Sequence, residues 1–178
     1  MANATKPQLP RSLGLKNLYV GRTVHESPPT SVDVWYDHKP ACHGVDDGGG
    51  GGMYFHPLDR AVEAQLVADI AALPPELPGD DGDDTCRRLW PQGRKWDLEQ
   101  FVWAEIERMQ RAKQCARWCR KDTLFRLTGD HADTWRVLKG VAFTPQVADG
   151  LRRKHGAQLE SILNETIPQP LKRKDRSP

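Results

Sequence analysis

The stretch from Leu98 to Lys121 constrains the fold most, because it is the longest run with an unbroken helical pattern. Apolar side chains recur along one stripe at helical spacing. Asp97 precedes the run as a capping residue, and Gln100 occupies the reciprocal capping-box position. The stripe comprises Leu98, Phe101, Val102, Met109, Ala112, Ala116 and Cys119. The sequence therefore predicts one long amphipathic helix.

Shorter patterns flank this helix and predict the rest of the fold. The predicted elements are a strand at 32–36, a helix from about 56 to 73, a hairpin of strands at 123–127 and 134–138, a helix from Thr144 to Gly156, and a short helix at 158–164. The glycine run at 48–52 predicts a flexible connection. We therefore expect an α-dominated α+β fold with a small β-hairpin and with extended N- and C-terminal arms.

Composition divides the chain into four segments. Residues 1–31 form an extended basic arm, and residues 32–85 an acidic segment with the short strand, the glycine-rich loop and one helix. Residues 86–165 form a basic helical and hairpin core, and residues 166–178 a basic tail. Only 38% of the residues are hydrophobic, so the core is small for the length of the chain.

Charge is strongly segregated along the chain. Residues 26–85 contain 2 basic and 13 acidic residues, whereas residues 86–178 contain 20 basic and 11 acidic ones. The net charge of +2 hides this division. Such a pattern indicates either that the two parts neutralise each other or that each faces a charged partner.

The basic part interleaves arginine and lysine with tryptophan, which fits two kinds of partner. Protein–protein hot spots are rich in both tryptophan and arginine. Cations can also neutralise phosphates while indoles stack on bases. The candidate protein-binding residues are Trp96, Trp103, Arg111, Arg117 and Trp118, and the candidate nucleic-acid-binding residues are Arg87, Arg88, Arg94, Lys95, Lys113, Arg120 and Lys121. The isoelectric point near 8.4 is below the value above 9 typical of nucleic-acid-binding domains, which favours a protein partner.

Histidine and cysteine residues form two clusters that could supply zinc ligands. The first comprises His38, Cys42, His43 and His56, and the second comprises Cys115 and Cys119, one turn apart on the long helix. Zinc takes four nitrogen or sulfur ligands, but the chain contains no Cys-x-x-Cys. A buried edge of the helix explains the cysteine pair more simply. We expect no cofactor, with a structural zinc as the alternative.

The run Asp47-Gly48-Gly49-Gly50-Gly51-Gly52, followed after three residues by His56-Pro57, resembles the turn and His-Pro of the CHCC zinc-finger accessory subunit of mitochondrial respiratory complex I. In that family a cysteine ligand directly precedes the Asp-Gly run and a Cys-x-x-Cys completes the site. Here Asp46 holds the first place and no Cys-x-x-Cys follows. The resemblance covers only this short segment and does not assign the chain to the family. It implies a mitochondrial assembly as one possible location.

No catalytic motif is present: the nucleophile elbow, the P-loop, the His-Glu-x-x-His zinc motif and the dinucleotide fingerprint are all missing. Four cysteines indicate reduced thiols in an intracellular compartment, and no apolar run approaches the roughly 18 residues of a membrane span. We therefore expect a non-enzymatic accessory or structural subunit of a large intracellular multiprotein assembly, with other subunits as its partners. The alternatives are a nucleic-acid-binding accessory protein and a small zinc-binding module.

Overall fold

The computed structural model describes residues 8–23, 27–76, 88–89, 91–130 and 134–167. Within these ranges the chain divides into two compact units, an N-terminal unit up to Glu107 and a C-terminal unit from Arg108. The elements in chain order are β1 (Leu13–Val20), β2 (Thr30–Tyr36), β3 (Lys39–Asp46), β4 (Tyr54–Pro57), α1 (Arg60–Ala71), α2 (Leu98–Trp118), β5 (Thr123–Leu127), β6 (Arg136–Leu138), α3 (Pro145–His155), a 3-10 turn (Gly156–Gln158), β7 (Leu159–Ile162) and α4 (Leu163–Thr166). The long helix α2 contributes residues to both units.

The N-terminal unit is built on a four-stranded antiparallel sheet in the order β1-β2-β3-β4. Alternate residues of β2 are buried, with Val32 and Val34 fully so, because successive side chains of a strand point to opposite faces. This buried face shares one apolar core with Leu66 of α1 and with Phe101 and Ile106 of α2. The other face of the sheet carries the intervening side chains.

Tyr36 ties this sheet to helix α1. Its side chain is 1% exposed, and its hydroxyl donates a 2.5 Å hydrogen bond to Oδ2 of Asp69. Burial and the neighbouring carboxylate raise the pKa of Tyr36 to about 12, so the phenol stays neutral and remains a donor throughout the physiological range.

The glycine run forms the connection between β3 and β4. Gly48 and Gly52 have φ angles of +83° and +80°, which residues with a Cβ rarely adopt. Asp46 Oδ1 accepts a hydrogen bond from the Gly48 N–H at 2.7 Å, and Glu99 Oε1 accepts one from the Met53 N–H at 2.8 Å. The segment predicted as a flexible connection is therefore anchored at both ends to the N-terminal unit.

The C-terminal unit contains a three-stranded antiparallel sheet in the order β6-β5-β7. Phe125 of β5 and Ile162 of β7 pack with Ala148 and Leu151 of α3. A second cluster is formed by three buried residues, Cys115, Cys119 and Leu124. Each unit thus has apolar clusters of its own.

The predicted α-dominated fold is wrong. Of the described residues 37% are helical and 29% lie in strands, and the four-stranded sheet is much more than a small hairpin. The expected N-terminal arm contains β1, where Leu13 pairs with Tyr36 and Leu15 with Val34. The leucines that alternate along β1 pack against the core because β1 pairs with β2. This pairing joins distant parts of the chain, so the local pattern of residues 1–31 does not reveal it. Residues 168–178 of the expected C-terminal arm lie outside the described residues.

Two predicted helices are also wrong in their extent or type. The helix expected from His56 begins at Arg60, where Asp59 accepts hydrogen bonds from two backbone N–H groups, while His56 and Pro57 belong to β4. The helix expected at 158–164 is replaced over Leu159–Ile162 by β7, because pairing with β5 overrides the weak local preference. The start of α2, the strand at Thr123–Leu127, and the Thr144 and Gly156 boundaries of α3 are confirmed.

Candidate functional site

The second half of α2 is largely exposed. Between Glu107 and Trp118 only Cys115 is buried, and Met109 and Ala116 are half-buried, while every other residue is exposed. The first half of the same helix is largely covered by the N-terminal core. One helix therefore has a packed half and an accessible half.

Polar and basic side chains share this accessible half with one indole. Arg111, Gln114 and Trp118 are spaced three and four residues apart and lie along one face. Trp118 is 43% exposed, which is unusual for the largest apolar side chain. We define the outer α2 surface as Gln110, Arg111, Lys113, Gln114, Arg117 and Trp118, all of which are exposed and none of which is acidic.

The structure does not bring all five predicted protein-binding residues onto this surface. Trp96 is 8% exposed in the N-terminal core, where its ring meets Phe101 edge-on with centroids 5.7 Å apart. Trp103 is half-buried against the same core. Only Arg111, Arg117 and Trp118 lie together. Trp103 is not part of the predicted apolar stripe, but the core covers a wider arc of the helix than that stripe.

The predicted nucleic-acid-binding residues are divided between the units. Arg88, Arg94 and Lys95 are exposed in the N-terminal unit, whereas Lys113, Arg120 and Lys121 are exposed in the C-terminal unit. Arg87 lies outside the described residues. Charge follows the same division: residues 4–107 contain 10 basic and 17 acidic residues, and residues 108–178 contain 16 basic and 7 acidic ones. The structural boundary thus separates an acidic unit from a basic one.

A polar row crosses the outer face of the N-terminal sheet. Asp33 of β2 is the register partner of His43 in β3, and His43 is the partner of His56 in β4. His43 Nδ1 lies 2.6 Å from Asp33 Oδ1, and Asn17 Nδ2 donates to Asp33 Oδ2 at 2.6 Å. These hydrogen bonds from Asn17 and His43 lower the pKa of Asp33. Sequence reasoning found both histidines but missed Asn17 and Asp33.

The other predicted metal ligands lie elsewhere. Cys42 precedes His43 and is buried on the core face of the sheet, and His38 lies in the β2–β3 turn. Cys115 and Cys119 are buried in the C-terminal unit. Burial raises the pKa of Cys42 to about 12 and that of Cys119 to about 11, which keeps these thiols protonated at neutral pH.

Within the described ranges, no group of three or more His, Cys, Asp or Glu side chains is arranged to hold a metal ion. The described helices include none that is both long and apolar enough to cross a membrane. The chain matches no family model, no curated protein and no solved structure. Function is therefore inferred from the two surfaces described above.

Proposed function

We propose that this chain is a non-enzymatic accessory subunit of a multiprotein assembly and that the outer α2 surface is its docking surface. The observation that carries this proposal is the 43% exposure of Trp118 at the end of an exposed helical face. Burial of an indole against a partner stabilises a complex by about 2 kcal/mol or more. Tryptophan and arginine are the residue types on which protein interfaces most depend.

The charge of the surface indicates the chemistry of its partner. Arg111 lies two turns before Trp118 on the same face of the helix, and Lys113 and Arg117 are exposed on the same half of the helix, so the surface as defined is basic. A complementary partner would present carboxylates around an apolar pocket that accepts Trp118. Such complementarity mainly accelerates association and selects the partner, while the buried indole slows dissociation.

The direct test compares two double variants of the full-length chain in its native cells. Trp118→Ser with Arg117→Ser removes the indole and one cation from the surface. Val141→Ser with Lys139→Ser is the matched control, since it removes an exposed apolar and a basic side chain from the same unit. Quantitative mass spectrometry of co-purified proteins should show at least a tenfold loss of one defined set of subunits with the first variant and no loss with the control. Equal recovery with both variants would contradict the proposal.

Nucleic-acid binding is the second candidate, and the excess of 16 basic over 7 acidic residues in 108–178 favours it. The same purification separates the two candidates when it is repeated with nuclease. A protein assembly should survive the treatment, whereas association through RNA or DNA should be lost.

The two tryptophans of α2 should differ in their effect on stability. Because Trp103 packs against the core, Trp103→Ala should lower thermal stability more than Trp118→Ala does.

A further inference from the structure

We infer that His43 and His56 form a binding site for a borderline divalent transition-metal ion such as Zn²⁺ on the outer face of the N-terminal sheet. The inference is independent of the proposed docking function, which concerns the C-terminal unit. Imidazole nitrogen is a preferred ligand of zinc, copper and nickel, and it is a poor one for magnesium and calcium.

The sheet register brings the two imidazoles together. His43 and His56 are direct partners across β3 and β4, and directly opposed residues of antiparallel strands have Cβ atoms about 4.5–5.5 Å apart. Both side chains belong to the outer face, because Gly44 and Phe55, which alternate with them, face the core. Two imidazoles at this separation can approach one ion, with Zn–N distances of about 2.0–2.1 Å.

Asp33 prepares His43 for this role. In the neutral ring, the contact between Nδ1 and the carboxylate requires the proton on Nδ1, which leaves the Nε2 lone pair available to a metal. A carboxylate that accepts the second N–H of a ligating histidine fixes the orientation of the ring and raises its basicity. Asp33 is in β2, between β1 and β3, and its carboxylate is held by Asn17 of β1 and His43 of β3.

Asn17 completes the arrangement from β1. The pairing of β1 with β2 shifts register between Lys16 and Tyr19, and Asn17 in this bulge has a φ of 50°. Asparagine adopts this left-handed conformation more readily than most residues, and bulges re-aim side chains. Here the bulge directs the amide onto Asp33 Oδ2, while the Lys16 ammonium lies over the Trp35 ring, 3.3 Å from its centroid. All four strands thus contribute one residue to a single row.

Two protein ligands leave the remaining coordination positions to water or to another molecule. The row therefore differs from a closed structural zinc site, which has four protein ligands. Zn²⁺ should therefore bind at His43 and His56 more tightly than at any other place on the protein.

The test is calorimetric titration of the full chain, produced without a histidine tag, with Zn²⁺ in excess Mg²⁺. We expect one equivalent of Zn²⁺ to bind, and His56→Gln to weaken binding at least tenfold. His56 is exposed, so this substitution should not affect folding. Asp33→Asn should weaken binding by about 10–100-fold, since loss of an orienting partner typically has that effect.

His38→Asn is the matched control, because it removes an exposed histidine from the turn between β2 and β3 of the same unit, and asparagine tolerates its φ of 63°. This variant should bind Zn²⁺ as the wild type does. The inference is overturned if the wild type binds no more tightly than a His43→Gln/His56→Gln double variant, or if His38→Asn lowers the affinity as much as His56→Gln. Thermal melting of each variant without metal verifies that it is folded.

Discussion

A single buried amide holds together several parts of the C-terminal unit. The Asn164 side chain is 1% exposed, and its Oδ1 accepts a 2.8 Å hydrogen bond from the Leu124 N–H. Its Nδ2 donates to the backbone carbonyls of Cys119 and Asp122 at 3.1 and 3.0 Å. One side chain thus satisfies backbone groups just beyond α2 and at the start of β5. Buried groups of this kind are costly to leave unpaired.

Substitution of Asn164 should therefore destabilise the unit strongly. Asn164→Leu leaves one N–H and two carbonyls unsatisfied and should cost about 3 kcal/mol or more. Asn164→Asp keeps the acceptor for Leu124 but places a carboxylate oxygen against two carbonyls, so it should also be destabilising. Urea unfolding followed by circular dichroism measures both variants, with the exposed Gln158→Leu as control. An Asn164→Asp variant within about 0.5 kcal/mol of the wild type would refute this account.

Sequence reasoning could not identify Asn164 or Asn17, because their importance depends on contacts with distant segments. Asn164 meets groups 40 to 45 positions earlier in the chain. The tryptophans show the same limit. Neither Trp103 nor Trp118 belongs to the predicted apolar stripe, yet Trp103 packs against the core while Trp118 is exposed. Residue type and spacing nominate candidates, and tertiary packing decides which of them are accessible.

The β5–β6 hairpin contains a bidentate ion pair between Arg136 and Asp130. Arg136 donates from Nε to Asp130 Oδ2 and from Nη2 to Oδ1, both at 2.8 Å, and the Leu127 N–H donates to Oδ2 at 2.9 Å. The bonds from Arg136 and then from Leu127 lower the pKa of Asp130 from 3.8 to about 2. Bidentate pairs of this kind have defined geometry and are stronger than single contacts.

This pKa shift predicts how the stability of the hairpin depends on pH. A carboxylate with a lowered folded-state pKa contributes stability above its unfolded value of 3.8, and the contribution is lost as the pH falls through about 2. The melting temperature of Asp130→Asn should therefore lie below that of the wild type at neutral pH, and the difference should shrink between pH 4 and pH 2. Thermal melts across this range measure it.

Asp149→Asn is a suitable control, because Asp149 is 67% exposed and its ion pair is long, with 3.5 Å between Asp149 Oδ1 and Arg152 Nη1. This substitution should change the melting temperature little at any pH. A deficit of Asp130→Asn that stayed constant down to pH 2 would show that its cause is not the ionised pair.

Local signals account for the elements that the sequence predicted correctly. The Asp97 cap, whose Oδ1 accepts from the Gln100 N–H at 2.8 Å, and the Thr144 cap of α3 are readable from a few neighbouring residues. The strands β1, β3, β4 and β7 were missed because each is stabilised by a partner that the local pattern does not reveal. β1, β4 and β7 lie at sheet edges, whereas β3 lies inside its sheet, and Pro40 and Gly44 weaken its local strand signal.

At the scale of the molecule, two units with separate apolar clusters differ in sign of charge. The N-terminal cluster joins residues between Val32 and Ile106, and the C-terminal clusters involve residues from Cys115 onward. The acidic and basic residues divide at the same boundary. Composition predicted the charge division, but its coincidence with two packed units became apparent only from the structure.

Separate cores predict that local destabilisation stays within one unit. Leu66 is 0% and Leu151 5% exposed, so either change to alanine should cost about 2–5 kcal/mol. In native-state hydrogen exchange, Leu66→Ala should accelerate exchange in β2 and β3 while leaving β5 and β7 protected, and Leu151→Ala should do the reverse. Mass spectrometry of peptides from each strand resolves the two patterns. If either variant accelerated exchange equally in both sheets, the two units would unfold together. Their separate apolar clusters would then not make them independent in stability.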